Sequence, residues 1–175
     1  MPLTRERILE AALALLDRDG LEALSMRKLG EALGVEAMSL YNHVPNKAAL
    51  LDGIHERILT SVPASPATKD WRRFARHQAR ALHATLCAHP NAIALFATRP
   101  AATTASFARL EHYLQVLREA GFSAFDSLRV VHVVMSFVVG HAMWSVGISD
   151  DGSLDREAEL EFEFGLDALL RGLAP

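Results

Sequence analysis

Apolar residues recur at three- and four-residue intervals along nearly the whole sequence, and each run stops at a glycine or a proline. That pattern confines the chain to a succession of helices. The first run sets Ile8, Leu9, Ala11, Ala12, Leu15 and Leu16 on one face, with Thr4 as its N-cap and Gly20 as its end. The second follows Ser25 and carries Met26, Leu29, Ala32 and Leu33 up to Gly34, and a short third spans about 36–44. Pro45 and Asn46 introduce a fourth, with Leu50, Leu51, Ile54, Ile58 and Leu59, closed by Pro63. The Pro- and Ser-containing stretch after it reads as a turn or short linker.

Asp70 then caps a stripe of Trp71, Phe74, Ala75, Gln78, Leu82, Thr85 and Leu86 that ends at Pro90. A shorter segment covers 91–98 and stops before Pro100. The next, about 105–120, has Leu110, Tyr113, Leu114 and Leu117 as its apolar face and Gly121 as its stop. A long segment over 123–146, a loop over 147–152 and a last segment over 155–173 complete the series. That last segment carries Leu160, Phe162, Phe164, Leu166, Leu169 and Leu170. By propensity Val130, Val131, Val133 and Val134 prefer a strand, but a lone strand has no partner here, so this stretch is also predicted helical. The fold class is all-α.

Composition narrows the class further. Half of the 175 residues are apolar, which excludes disorder, and the single cysteine, Cys87, excludes a disulfide scaffold within the chain. A reducing, cytoplasmic setting is the default, and Cys87 reads as a small core residue. The N-terminus lacks the apolar run of a signal peptide. The most apolar stretch, 130–144, is interrupted by His132, Ser136, Gly140 and His141. It falls short of the ~20 mostly apolar residues that span a bilayer, so a buried helix of a soluble protein, with no membrane partner, is expected. The formal net charge of −3 by itself speaks against nucleic-acid binding. Its distribution is uneven: residues 1–47 carry −1, residues 48–123 carry +4 and residues 124–175 carry −6.

Residues 25–47 carry the most specific chemistry. One helix ends at Gly34, which can adopt the positive φ of a sharp turn. The next directs Leu40 and Val44 inward and leaves Ala37, Met38, Ser39, Tyr41, Asn42 and His43 more exposed. Such a helix-turn-helix can lay its second helix in a major groove; two packed helices of an ordinary bundle are the alternative. The surrounding string settles the choice. Ile8–Ala12, Leu15–Leu16, Asp19–Leu21, Arg27–Leu29 and Leu33–Val35 stand in register with Leu40–Val44 and with Lys47, Leu50 and Leu51. This string resembles the N-terminal domain of the tetracycline-repressor (TetR) family of transcription regulators over about residues 4–60.

The resemblance implies a three-helix DNA-binding domain over 1–47. It also implies a ligand-binding and dimerisation domain over 48–175, joined by a connecting helix at about 47–62. Carried over by position, Arg27 reaches a base or phosphate, with Lys28 nearby. Ala37, Met38, Ser39, Tyr41, Asn42 and His43 form the recognition helix, and Lys47 holds a backbone phosphate. Partial core is the alternative for Tyr41, and an ordinary surface position the alternative for His43. Ala37 stands where relatives that read adenine carry glutamine, so a different operator is expected.

The rest of the chain is similar to the effector domain of the family's tetracycline-responsive members. Asp70–Trp71 with Phe74, Thr98–Arg99–Pro100, Gly121–Ser123, Ser136–Phe137 with Gly140, and Gly165–Leu166 with Leu170–Gly172 occur in the same order. What this implies is a mostly apolar cavity lined by Gln78, Leu82, Leu95, Thr98, Arg99, Leu110, Tyr113, Leu114, Leu128, Val131 and Met135. Plain core is the alternative for each, and Arg99 reads either as an anion contact or as a cap on helix carbonyls. Those relatives take the drug as a magnesium chelate. Here the metal-ligating histidine aligns with Leu95, a polar histidine with Pro63, an asparagine with Gln78, a phenylalanine with Leu82, and a glutamate falls near Gly147. Leucine cannot ligate magnesium, so no metal and no resident cofactor is expected.

No histidine pair is spaced by four, and no Ser-His-Asp set or phosphate loop stands out. The family implies a homodimer joined through the segments at 123–146 and 155–173. A helix apolar nearly all round needs more than one buried side, which agrees with that. The partners expected are double-stranded operator DNA with two-fold symmetry and a small-molecule effector. A repressor released by its ligand is the leading reading. An activator shares all the same residues, and an enzyme using the helical cavity is the reading from another class.

Overall fold

The computed structural model describes residues 2–99, 103–148 and 156–175, and every regular element among them is helical. α1 spans Arg5–Asp19, α2 Met26–Leu33, α3 Ala37–Leu40 and α4 Lys47–Ser61. α5 spans Trp71–Ala88, α6 Ile93–Thr98, α7 Thr104–Glu119, α8 Ala124–Ile148 and α9 Arg156–Gly172. The starts follow local chemistry. Side-chain oxygens of Thr4, Ser25, Asn46, Asp70 and Thr103 each accept a backbone N–H from the first turn that follows, with Asn46 Oδ1 2.8 Å from Ala49 N. Sequence-level caps and helix starts therefore agree.

Three segments differ from the expected course. The third helix has one α-helical turn, not the full 36–44 stretch, because Pro45 and its predecessor cannot continue an α-helix. Its tail winds tighter, with Tyr41 N on Met38 O at 3.3 Å and His43 N on Leu40 O at 3.0 Å. The 91–98 segment divides into a 3-10 turn at Pro90–Ala92 and then α6. α8 continues through Ile148, past the expected stop, while 149–152 and Pro100 lie outside the described residues.

Two cores form. One gathers Ile8, Leu16, Leu29, Leu40, Leu50, Ile54 and Ile58 from α1–α4, and it also takes Ala92 and Leu95 from the 3-10 turn and α6. The other packs α5, α8 and α9 through Trp71, Leu82, Leu86, Val138, Ala142, Phe162, Leu166 and Leu170. Cys87 is buried in this second core. α4 contributes to the first core along most of its length, and Val62, just beyond its end, joins the second. Ion pairs brace α9 on α5: Arg76 with Asp167, and Arg80 with Glu163.

α8 corrects one expectation: its apolar run is longer than the 130–144 stretch. Its 23-residue core, Ala124–Val146, is by length and composition alone apolar enough to cross a membrane, the one such helix among the described residues. It is instead the central strut of the second core, packed on α5, α6, α7 and α9. Much of its surface stays uncovered, because Val130, Val138 and Val139 turn inward while Phe125, Leu128, Met143 and Trp144 remain exposed. Leu160 and Phe164 of α9 are exposed as well, Phe164 by 77%. A single chain therefore leaves a broad apolar face on α8 and α9.

Candidate nucleic-acid interface and ligand cavity

The turn between α2 and α3 depends on two glycines. Gly34 has φ 68°, a left-handed conformation that costs a glycine little. Gly30 lies against the turn itself: a Cβ there would stand 2.9 Å from the Val35 carbonyl oxygen and 3.2 Å from Ala37 N. The absent side chain lets α2 sit directly under the start of α3. Leu40 and Val44 then anchor α3 inward, both essentially fully buried.

With those anchors set, the remaining side chains of the segment face outward. Met38 is 72% exposed, Tyr41, Asn42 and His43 are exposed, and Ala37 and Ser39 are partly covered. Tyr41 thus does not fill the core. Lys47, the first residue of α4, is exposed a few residues further on. Arg27 is exposed on α2 and donates to Glu31 at 2.6 Å, a surface pair that yields readily to a phosphate. Lys28 is partly buried. The face therefore carries few cations, and nearby carboxylates offset them.

A cavity of about 410 Å³ lies between α4, α6, α7 and α8. Of the eleven residues expected to line one, Leu82, Arg99, Leu110, Tyr113, Val131 and Met135 do. Gln78 stands beside it, donating to Pro63 O at 3.2 Å while its Oε1 accepts from Tyr113 Oη at 2.6 Å. Four do not line it. Leu95 turns into the first core and is buried there. Thr98 is exposed and donates back to Ala94 O, Leu114 lies off the wall on α7, and Leu128 belongs to the exposed face of α8. The apolar face of α7 is only partly covered because Leu110 and Tyr113 border empty space.

Sequence reasoning missed His55, Leu59 and Val62 on the α4 side, Phe96 on α6, Ser106, Phe107 and Arg109 on α7, and His132 on α8. His55, Leu59 and Val62 follow an i, i+4, i+7 spacing that could have revealed a shared face. Arg109 and Phe107 sit beside the apolar stripe and carried no such signal. Burial holds the His55 imidazole below its ordinary range, with Asp52 opposing and Arg99 adding to the effect. The His55 ring lies 4.2 Å from that of Phe96. Burial raises the Tyr113 phenol, and Arg109 partly counters it. Arg99 is the C-cap residue of α6, its backbone N–H on Leu95 O at 3.0 Å, while its guanidinium donates to Asp52 Oδ1 at 2.6 Å and to Ala48 O at 3.3 Å, clasping α6 to α4.

These donors do not fit a magnesium chelate. The wall holds two guanidiniums and two imidazoles and, among the described residues, no carboxylate, whereas magnesium requires oxygen ligands and resists a cationic surround. Elsewhere, His83 Nε2 lies 3.0 Å from His141 Nδ1, beneath Phe162 and beside Ser145. Burial, aided by His141, pushes His83 down to about 4. This pair is separated by 58 residues, so no local spacing announced it.

Comparison with known proteins fits this arrangement. The family described as "Bacterial regulatory proteins, tetR family" matches residues 8–54, and "Tetracyclin repressor-like, C-terminal domain" matches residues 62–160. The class A tetracycline repressor from transposon 1721 of Escherichia coli is 39% identical over 152 residues, covering 83% of this chain and 68% of that protein. The chain spans about two thirds of the length of such curated relatives. A TetR variant from Acinetobacter baumannii AYE, solved in complex with minocycline, superposes with a TM-score of 0.86 at 30% identity, over 98% of this chain and 96% of that one. BioQ, solved with its natural double-stranded DNA operator, gives a TM-score of 0.77 at 27% identity, over 98% of each chain.

Proposed function

This chain belongs to the TetR family of bacterial regulatory proteins, ligand-responsive DNA-binding regulators that act as dimers, and on that premise we propose a specific mode of action. The protein is a repressor that holds a palindromic operator when free and releases it when a small molecule fills the cavity under α4. Arg27, Lys28 and Lys47 supply the phosphate contacts, with Arg27 also within reach of a base. Ala37, Met38, Ser39, Tyr41, Asn42 and His43 form the surface laid against the groove. The functional division runs at 47/48, with α4 as the connecting helix. Its place of work is the cytoplasm, and it regulates and does not catalyse.

One observation carries the reading: a single helix serves both sites. α4 begins at Lys47, beside the reading segment, and its last turns, with His55, Leu59 and Val62, wall the cavity. α6 is clasped to the same helix through Arg99 and Asp52 and borders the cavity through Phe96. A ligand that displaces Phe96 or Val62 therefore pushes on α4. Two copies joined through α8 and α9 would turn that push into a change in the separation of their reading heads. A hundredfold release requires about 2.7 kcal/mol of differential ligand affinity.

Fluorescence anisotropy with inverted repeats from the flanks of its own gene tests this. The dimer should prefer one of them over a scrambled duplex of equal composition. Equal affinity for both would end the proposal.

A further inference from the structure

Arg109 is the cavity's unbalanced charge. Its Nη1 donates to the Val62 carbonyl at 3.2 Å and its Nη2 to Gln78 Oε1 at 2.7 Å, both neutral acceptors. Its Nε is buried with no partner. The other guanidinium on the wall, Arg99, is neutralised by Asp52. Among the described residues no carboxylate lies on the wall or pairs with Arg109. A guanidinium offers five N–H donors and only two are used here. A cation beside apolar surface without a counter-ion is costly, and an incoming anion relieves that cost.

The remaining wall is mostly apolar and rich in rings. Phe96, Phe107 and Tyr113 border the space with His55, and Leu82 and Met135 close it. Resting on the reading of this cavity as the effector site, we infer that the effector is an amphipathic aromatic acid. Its anionic group pairs with Arg109, and its ring body fills the space bordered by Phe96 and Phe107. The pairing also explains how occupancy is transmitted. Val62 follows the last turn of α4, and Arg109 ties it to α7. A charged acceptor binds a guanidinium more strongly than a neutral carbonyl, so an anion that takes the donor now held by Val62 frees that end of α4. An uncharged molecule of the same shape fills the cavity but leaves the tie in place.

The test uses two dyes with one ring system, 8-anilino-1-naphthalenesulfonate and its uncharged counterpart N-phenyl-1-naphthylamine, titrated by fluorescence into the full-length dimer at neutral pH. The wild-type protein should bind the sulfonate more tightly. Arg109→Met should lower the ratio of the two affinities about tenfold, and Arg109→Lys, which keeps the charge, should preserve most of it. Val131→Trp, which obstructs the wall, should weaken both dyes. Tighter binding of the uncharged dye by the wild-type protein, an unchanged ratio in Arg109→Met, or sulfonate binding untouched by Val131→Trp would each overturn the inference. Operator binding is measured separately without dye. Its absence would remove the repressor reading while leaving the charge preference of the cavity standing.

Discussion

Replacing Phe164 with alanine should break the dimer. Phe164 lies on α9 with 77% of its surface uncovered, one turn from Leu160, which is 62% exposed. A fully covered phenylalanine removes roughly 150–250 Å² from water, so about 150 Å² remains to be buried here. At about 25 cal/mol per Å² that is worth about 4 kcal/mol. Allowing for the alanine that remains and for imperfect coverage leaves about 2 kcal/mol per protomer. A two-fold axis presents the site twice, so the dimer loses about 4 kcal/mol, or about a thousandfold in its dissociation constant. Sedimentation velocity across a dilution series reads this directly, and operator affinity should fall with the dimer fraction. A dimer constant within threefold of wild type would show that the α9 face is not the interface, and the α8–α9 pairing would have to be abandoned.

Other perturbations probe the reading head and the buried histidines. Lys47→Ala should weaken binding to specific and scrambled DNA alike and reduce the slope of log affinity against log salt by about 0.9; an unchanged slope would remove Lys47 from the phosphate contacts. Gly30→Ala forces a methyl against the Val35 carbonyl and Ala37 N, both backbone atoms that cannot step aside cheaply. It should cost about 1–3 kcal/mol of stability and tilt α3 enough to lower operator affinity, so wild-type affinity would contradict that role for the turn. Burial pushes the His83 imidazole from its ordinary 6.5 down to about 4, so it is neutral in the fold near pH 7. Its folded pKa is depressed, so the stabilisation is complete above 6.5 and is lost as pH falls from there toward 4. The loss amounts to about 3 kcal/mol. Melting temperatures followed across that window should drop in the wild-type protein and drop less in His83→Gln, and parallel curves would dismiss His83 as the cause.

Much of the fold was legible because it rests on local chemistry. Cap residues, glycine stops and three-to-four spacing specify helices within a few residues, since each is settled by bonds inside one turn. They also marked the outward set on the reading segment, because burying Leu40 and Val44 leaves Met38, Tyr41, Asn42 and His43 no inward direction. The length of α3 was less legible. After Leu40 the chain passes into three-residue bonds, Tyr41 N to Met38 O and His43 N to Leu40 O, that no spacing in 36–44 announces.

The cavity divided along the same line. Leu82, Leu110 and Tyr113 were readable as apolar faces of their helices, whereas Val131 and Met135 came with the family resemblance. Leu95 was misplaced because it joins Ala92 in the first core, whose α1–α4 residues are far away in sequence. Arg109, Phe96 and His55 join the wall from three helices, and no spacing along the chain relates them. The sequence by itself therefore determined the helical series, the reading turn and the family, all carried by contacts within a few turns of backbone. Only the tertiary structure decided which charges face the cavity and which are cancelled. Arg99 meets Asp52 across 47 residues, whereas Arg109 meets no counter-ion among the described residues, and that difference exists only once α4, α6 and α7 are packed together.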